Sequence, residues 1–281
     1  MLREALVRTT LALGVYRPVR LAYEKAWRRE LVREQRALLE RLGPWIEPGD
    51  LVFDIGAHMG RFALAARRLG ARVVAVEPNP ATARELRGLH GPDRDLFRLV
   101  QAAVGSEAGH ADLQINAHRH SMCTLSDRFV EQTRKHAAWA ADDRWDNTVR
   151  VPVVTLDRLV SEHGTPKLLK LDVEGFELAA LQGLSTAPDV VCFEARPYMA
   201  EDAVGCVQKL ETLGGYGFDF IGADDRRTLN DWVTPGAMIR ALQEDERATS
   251  ASHIDVLAVR RADHTAQVLS PAADRDARKA A

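Results

Sequence analysis

The run Val52-Phe53-Asp54-Ile55-Gly56-Ala57-His58-Met59-Gly60 constrains the fold more than any other part of the chain. An apolar strand ends beside an acidic residue, a loop with glycines four apart follows, and Phe62, Ala66 and Leu69 then repeat at helical spacing. Glycine at such a bend lets a ligand approach the backbone. A second apolar run, Arg72 to Val76, ends at Glu77, twenty-one residues after Gly56. An acidic side chain there accepts hydrogen bonds from both hydroxyls of a ribose. The pattern predicts a nucleoside-binding crevice at the edge of a parallel sheet.

The alternation of short apolar runs with helical ones continues beyond this unit, as a parallel sheet with crossover helices requires. Asn79 followed by Pro80 opens a helix, since Asn caps and Pro suits the first helical position. Strands are expected within Phe97 to Val104 and at Leu168 to Leu171, Val190 to Phe193, Tyr216 to Ile221 and Ile254 to Val259. Asp112 to Val154 interrupts the alternation as an insertion: a hairpin strand, a polar loop rich in His and Ser, a short helix and a strand at Val149 to Val154. Three regions are therefore expected: a basic N-terminal helical extension over 1–42, with ten Lys or Arg against five Glu, a main domain over 43–261, and a disordered tail over 262–281. The segment Gly222 to Ser252, between the last two strands, is placed to cap a site.

Composition narrows the function classes. With 38 Lys plus Arg against 40 Asp plus Glu, the chain carries a formal charge of −2 and has no basic stripe with interleaved aromatics, so nucleic acid is not an expected partner. No apolar run reaches the eighteen or so residues of a membrane span, and charges interrupt the first twenty residues before a signal core forms. Three widely spaced cysteines make neither a disulfide framework nor a zinc knuckle. These features point to the cytoplasm; oligomeric state is not legible.

The loop selects the nucleoside. A dinucleotide needs the three-glycine turn that brings its pyrophosphate to the helix N-terminus, and this loop lacks the third glycine. Asp54 at the strand end would repel a pyrophosphate and suits the ammonium end of S-adenosylmethionine. The expected cofactor site is thus Asp54, Gly56, His58, Gly60 and Glu77, with the backbone near Gln101 and Ala102 facing the adenine. A nicotinamide oxidoreductase, a non-catalytic nucleoside-binding scaffold on the same fold and, with some support from the basic N-terminal helix, a methyltransferase acting on nucleic acid are the competing readings. The missing glycine weighs against the first and the retained carboxylates against the second.

Three further segments bear on the chemistry: Val151-Pro152-Val153-Val154-Thr155-Leu156-Asp157, Leu168-Leu169-Lys170-Leu171-Asp172-Val173-Glu174-Gly175-Phe176-Glu177, and Val191-Cys192-Phe193-Glu194. With the Asp54–Gly60 loop, Glu77-Pro78 and Ala103-Val104-Gly105, they make the chain resemble the FkbM-type methyltransferases over roughly residues 50 to 260. The Lys-Leu-Asp-Val-Glu-Gly-Phe-Glu segment marks that family rather than methyltransferases in general. The resemblance implies an α/β, Rossmann-like class I methyltransferase fold, with a seven-stranded, mostly parallel sheet whose last strand is antiparallel. It also implies methyl transfer from S-adenosylmethionine to a hydroxyl on a sugar, polyketide or related metabolite. The insertion, which in such families contributes to the acceptor pocket, has no strong pattern here.

Transfer from a sulfonium is an in-line displacement, so a side chain must manage the acceptor proton. His58, His120, which shares a polar loop with His118, and His253 are candidates, but Asp172 and Glu174 carry the better case as catalytic residues, because two carboxylates at the crevice end of a strand are unfavourable unless something engages them. They can act directly, or together with Glu194 can hold a divalent cation, for which oxygen ligands favour magnesium. Trp139, Trp145, Tyr198 and Trp232 suit stacking on a sugar ring or apolar metabolite as readily as core packing.

Overall fold

The computed structural model describes residues 39, 42–90, 96–116, 119–137, 143–221 and 232–260, and the structural statements below concern these residues. The N-terminal stretch up to residue 38, the tail from 261, His118 and Trp139 lie outside them, as does the first part of the 222–252 segment.

The central strand β1 (Leu51–Ile55) is buried along its whole length and runs parallel to β2 (Arg72–Val76) on one side and β7 (Leu168–Leu171) on the other. Such a strand needs apolar residues on both faces, which is why its sequence reads as a continuous run rather than an alternation. Around it lie β3 (Phe97–Val100), β8 (Val190–Ala195), β9 (Tyr216–Ile221) and β10 (Ile254–Arg260), in the order β3-β2-β1-β7-β8-β10-β9. β10 is antiparallel to both its neighbours, β8 and β9. The chain builds outward from β1 in one direction and then from β7 in the other, so the sheet reverses between β1 and β7. In open α/β sheets ligands bind at that reversal, outside the carboxyl ends of the strands.

Alternate residues of the strands feed two cores. Phe53, Ile55, Leu169, Leu171, Val191 and Phe193 pack on the face covered by α4 (Leu156–His163), α5 (Glu177–Gln182), α6 (Ala200–Leu213) and α7 (Pro235–Glu244), beyond which α8 (Glu246–Thr249) leads into β10. Val52, Val73, Ala75, Leu168 and Val190 pack on the other face, against Phe62, Ala63 and Ala66 of α1 (Arg61–Arg68), Leu86 of α2 (Pro80–His90), and Leu42 and Ile46. Helix α2 starts as expected: Pro80 is its first residue, and the Asn79 side-chain oxygen accepts from the N–H of Ala81 at 3.0 Å.

The insertion forms a second sheet, β4-β6-β5, from β4 (Ala103–Val104), β5 (Gly109–Ile115) and β6 (Asn147–Val154), with α3 (Asp127–His136) between the last two. The stretch Phe97 to Val104 therefore holds two strands rather than one: β3 stops at Val100, and Ala103–Val104 joins the other sheet through β6. Ser126 caps α3 and Thr155 caps α4, so the Thr155-Leu156-Asp157 motif is a helix start. The Asp157 carboxylate accepts from the N–H of Ser185 at 2.7 Å and ties that start to the end of α5.

Thr124 docks the insertion onto the main sheet. Its hydroxyl donates to the carbonyl of Glu174 at 2.7 Å and accepts from the N–H of Ser126 at 2.9 Å, both in a buried setting. Thr124→Val keeps the shape and leaves both partners unpaired, so it is expected to lower unfolding stability by about 1 to 3 kcal/mol. Thr124→Ser should restore most of it; calorimetric melting of the three proteins checks this.

Candidate active site

Three left-handed residues shape the β1–α1 loop: Gly56 (φ +78°), His58 (φ +48°) and Gly60 (φ +72°), the last being the N-cap of α1. The N–H groups of Gly56 and Ala57 both donate to the carbonyl of Val76, at 2.9 and 3.0 Å, which folds the loop over the end of β2. A Cβ on Gly56 would stand 1.8 Å from the carbonyl oxygen of Asp172. The glycine is thus required first by the protein's own chain, where β1 and β7 part, and not only by a ligand.

Glu77 closes the loop from the β2 side. One carboxylate oxygen accepts from the N–H of His58 at 2.8 Å and the other from the N–H of Asn79 at 2.9 Å. Burial pushes this carboxyl up to about 7. Asp54, in contrast, is fully buried and does not line the crevice. Its Oδ2 accepts from the N–H of Ala63 at 3.0 Å, in the first turn of α1, and its Oδ1 stands 3.5 Å from the ammonium of Lys170. Asp54 therefore fixes the start of α1 and orients Lys170 from behind the crevice.

Lys170 on β7 also reaches the Asp172 carboxylate at 3.0 Å and lies over the Phe62 ring. Burial alone would lift the Asp172 carboxyl, but Lys170 holds it below the ordinary aspartate range. The loop that follows is tight: Glu174 sits at φ +55° and Gly175 at φ +84°, and one carboxylate oxygen of Glu177 accepts from the N–H groups of Val173 and Gly175 at 2.9 and 3.3 Å. The Glu174 side chain meets Arg196 at 2.7 Å, and the same guanidinium nitrogen lies 2.9 Å from Glu194. Arg196 is itself packed over the ring of Phe129 from α3. Burial pushes Glu174 up to about 8 despite Arg196, and burial with the nearby Glu174 and Asp172 charges holds Glu194 well above the ordinary glutamate range.

Oxygens of Asp172, Glu174 and Glu194 lie within 4.8 Å of one another, close enough for a metal. Arg196 already spans two of the three, so a divalent cation at this place would have to displace a buried guanidinium from both glutamates.

Two cavities meet here. A narrow crevice runs past Gly56, His58, Glu77 and Ala102, and the insertion covers it with Cys123, Thr124 and Leu125. A wider chamber, open to solvent, extends over the sheet past Trp45, Phe62, Lys170, Glu194, His253 and Asp255. Gly56, His58, Ser121, Asp172 and Glu174 line both. The structure thus gathers Gly56, His58, Glu77, Ala102, Asp172 and Glu174 around one space, whereas Gln101 is exposed and Gly60 serves as a helix cap. His120 lines the crevice and His253 the chamber. Trp145 is a core residue whose indole donates to the carbonyl of Met122, and Tyr198 stacks on His136.

Lys170, Arg196, Thr124 and Trp45 were not singled out from the sequence. The first two carried a signal: each lies two residues from an acidic site residue at the end of a strand, and a period of two carried one residue past that end puts them on the same face.

The model of the methyltransferase FkbM domain matches residues 54–220. The chain is 30% identical over 206 residues to 31-O-demethyl-FK506 methyltransferase FkbM of Streptomyces tacrolimicus, covering 66% of this chain and 78% of that protein. It is 26% identical over 172 residues to hexuronic acid methyltransferase AglP of Haloferax volcanii, covering 60% of this chain and 64%, less than two thirds, of that protein. Among solved structures, Aeropyrum pernix fibrillarin with natively bound S-adenosyl-L-methionine is similar with a TM-score of 0.39 and 13% identity, over 76% of this chain and 68% of that one.

Because Gly56 faces the Asp172 carbonyl, Gly56→Ala is expected to destabilise the protein without any cofactor present. A left-handed alanine and the forced shift at β7 together cost about 2 to 4 kcal/mol. A lowered melting temperature of the ligand-free variant checks this, and an unchanged one would return the glycine to a purely ligand-binding role.

Proposed function

The chain belongs to the FkbM family of S-adenosylmethionine-dependent methyltransferases, and from that premise we propose that it methylates a hydroxyl on a sugar, polyketide or related metabolite. The observation that carries this reading is the crevice at the sheet reversal, with Glu77 at one end and the carboxylates of Asp172, Glu174 and Glu194 at the other. The acceptors named for two relatives, 31-O-demethyl-FK506 and hexuronic acid, support an acceptor of this kind. The three free cysteines and the absence, among the described residues, of a helix long and apolar enough to cross a membrane are compatible with work in the cytoplasm.

The residues fit the cofactor by their chemistry. In this reading Glu77, already oriented by two backbone N–H groups, keeps lone pairs for ribose hydroxyls, and Ala102 leaves room beside it. S-adenosylmethionine supplies an electrophilic methyl on a sulfonium, a cation that acidic surroundings favour. Asp172, ionised through Lys170, faces that charge and orients the acceptor. Glu174 would take the proton of the acceptor hydroxyl on its carboxylate as the methyl is transferred, so that the acceptor leaves as a neutral ether. Arg196 holds Glu174 in place.

Glu77→Ala is expected to weaken S-adenosylmethionine binding by about 1 to 3 kcal/mol in calorimetry, because ribose hydroxyls lose their acceptor. Glu174→Gln is expected to keep cofactor affinity and to lose transfer by roughly 10²- to 10⁴-fold, as the loss of a proton acceptor does, and Asp172→Asn is expected to lose transfer together with part of the cofactor affinity. A turnover screen of hydroxylated sugars and polyketides with labelled cofactor reads this out, and full turnover by both variants would remove them from the mechanism.

A second expectation concerns pH. The proton acceptor must be ionised, and burial keeps the Glu174 proton on up to about 8. At saturating cofactor, turnover should climb as pH rises toward that value and level off above it. A profile flat from pH 6 to 9 would move the role away from Glu174.

A further inference from the structure

A buried carboxylate stands behind the junction and meets neither cavity. Strand β7 ends at Leu171 and α5 begins at Glu177, so the N–H groups of Val173 and Gly175 belong to neither element. Buried N–H groups must find an acceptor. One carboxylate oxygen of Glu177 accepts from both, at 2.9 and 3.3 Å, and so spans the residue between them, Glu174. Glu177 is 6% exposed and is not among the described residues that line the crevice or the chamber. It lines a separate small pocket with Arg196, Met199, Asp202 and Cys206, and acts on a bound molecule only through its neighbours.

Glu174 needs such a clasp. Its φ of +55° lies in the left-handed region, which is unfavourable for any residue with a Cβ. Gly175 is left-handed as well, and a Cβ there would stand 2.7 Å from Phe129 and 3.1 Å from Met199, so the loop is pressed against α3 and the segment after β8. Thr124 holds the Glu174 carbonyl and Arg196 its carboxylate. The two bonds to Glu177 fix the backbone on both sides of it, which neither of those contacts does.

Resting on the assignment of Glu174 to the acceptor proton, we propose that Glu177 is a positioning residue for methyl transfer: by accepting from the N–H groups on either side of Glu174 it keeps that residue left-handed, with its carboxylate at the junction and facing the charge of the cofactor. The role depends on reach and on an acceptor oxygen. A glutamine offers both, an aspartate is one methylene too short to span the two N–H groups, and a methionine fills the space with only a weak acceptor.

Two cofactor analogues read the placement with no acceptor molecule present. S-adenosylhomocysteine has a neutral thioether, whereas sinefungin carries an ammonium in place of the transferred methyl, so the gap between their affinities reports carboxylates at the junction. Calorimetry on the full chain measures it at about pH 8.5, above the values of about 8 and about 7 to which burial pushes Glu174 and Glu177. If S-adenosylhomocysteine does not bind, the cofactor site falls, and this inference with it. The parent is expected to bind sinefungin about tenfold or more tightly than S-adenosylhomocysteine, the size of one hydrogen bond to a charged group. Glu177→Met and Glu177→Asp should each shrink that gap about threefold or more, with S-adenosylhomocysteine affinity changed by less than about twofold, and Glu177→Gln should keep most of it. Asp172, held by Lys170, accounts for the part that remains. A glutamate of structural importance alone would lower the melting temperature and leave the gap as it was. Should Glu177→Met fail to fold, Glu177→Asp and Glu177→Gln decide. No gap in the parent, a gap unmoved by Glu177→Asp, or Glu177→Gln as impaired as Glu177→Asp overturns the inference and leaves the cofactor site standing.

Discussion

Lys170 brings an ammonium into the seam between β1 and β7, 3.0 Å from Asp172 and 3.5 Å from Asp54, and the crevice is assembled around that charge. Asp54 is fully buried, and a carboxylate so placed is held only if its charge is met. With one oxygen on Lys170 and the other on the N–H of Ala63, it sets where α1 begins and so how the intervening loop must turn. Asp172, met by the same ammonium, stays ionised in surroundings that raise its glutamate neighbours. Buried ion pairs add little net stability, because desolvation offsets their attraction, but removing one partner strands the others at about 3 to 5 kcal/mol. The seam also joins backbone to backbone, through Gly56 against the Asp172 carbonyl.

Most of the main sheet was legible because its strands announce themselves as apolar runs bounded by glycine, Asn-Pro or acidic residues. The lining of the narrow crevice was legible for the same reason: Gly56, Glu77 and Ala102 lie next to strand ends, where sequence position and spatial position coincide. Legibility failed where a side chain's direction decides its role. Asp54 and Lys170 are opposite each other in register, so a buried ion pair competes with the ligand for the Asp54 carboxylate, and the pair wins. Arg196 and Thr124 act across about 22 and 50 residues of chain, distances at which no local period carries information. The insertion was visible as an interruption, but its third strand, Ala103–Val104, was hidden because two residues make no pattern.

Strain is concentrated on both sides of the crevice. His58 and Glu174 are the described non-glycine residues with positive φ, one in each loop that flanks the β1–β7 seam. Each such residue costs on the order of 1 kcal/mol or more and persists only where its surroundings over-determine it. Glu77 takes the N–H of His58. Thr124 takes the carbonyl of Glu174, Arg196 its carboxylate, and Glu177 the next N–H along the chain. The insertion thus has a mechanical purpose: through Thr124 and Phe129, on the segment between β5 and β6, it packs against the Glu174–Gly175 loop.

The two cavities differ in what they can hold, and the residues they share follow from that difference. The narrow crevice is walled by Val76, Ala102, Val104 and Leu113, with Glu77 as its polar anchor, a setting for a flat base and a ribose. The wide chamber concentrates the charges, with Lys170, Glu194 and Asp255 on its floor. A group passing from a molecule in one to a molecule in the other must cross at their junction, where Gly56, His58, Ser121, Asp172 and Glu174 stand. Gly56 has no side chain to offer, and burial lowers the proton affinity of His58, which also lies near the Arg61 charge. Ser121 offers a hydroxyl that is not a base at neutral pH. In the proposed reading Asp172 and Glu174 are the junction residues that face a cation on one side and a hydroxyl on the other, and their charge states differ. Lysine keeps one ionised, and burial leaves the other with a proton affinity close to that of neutral water chemistry.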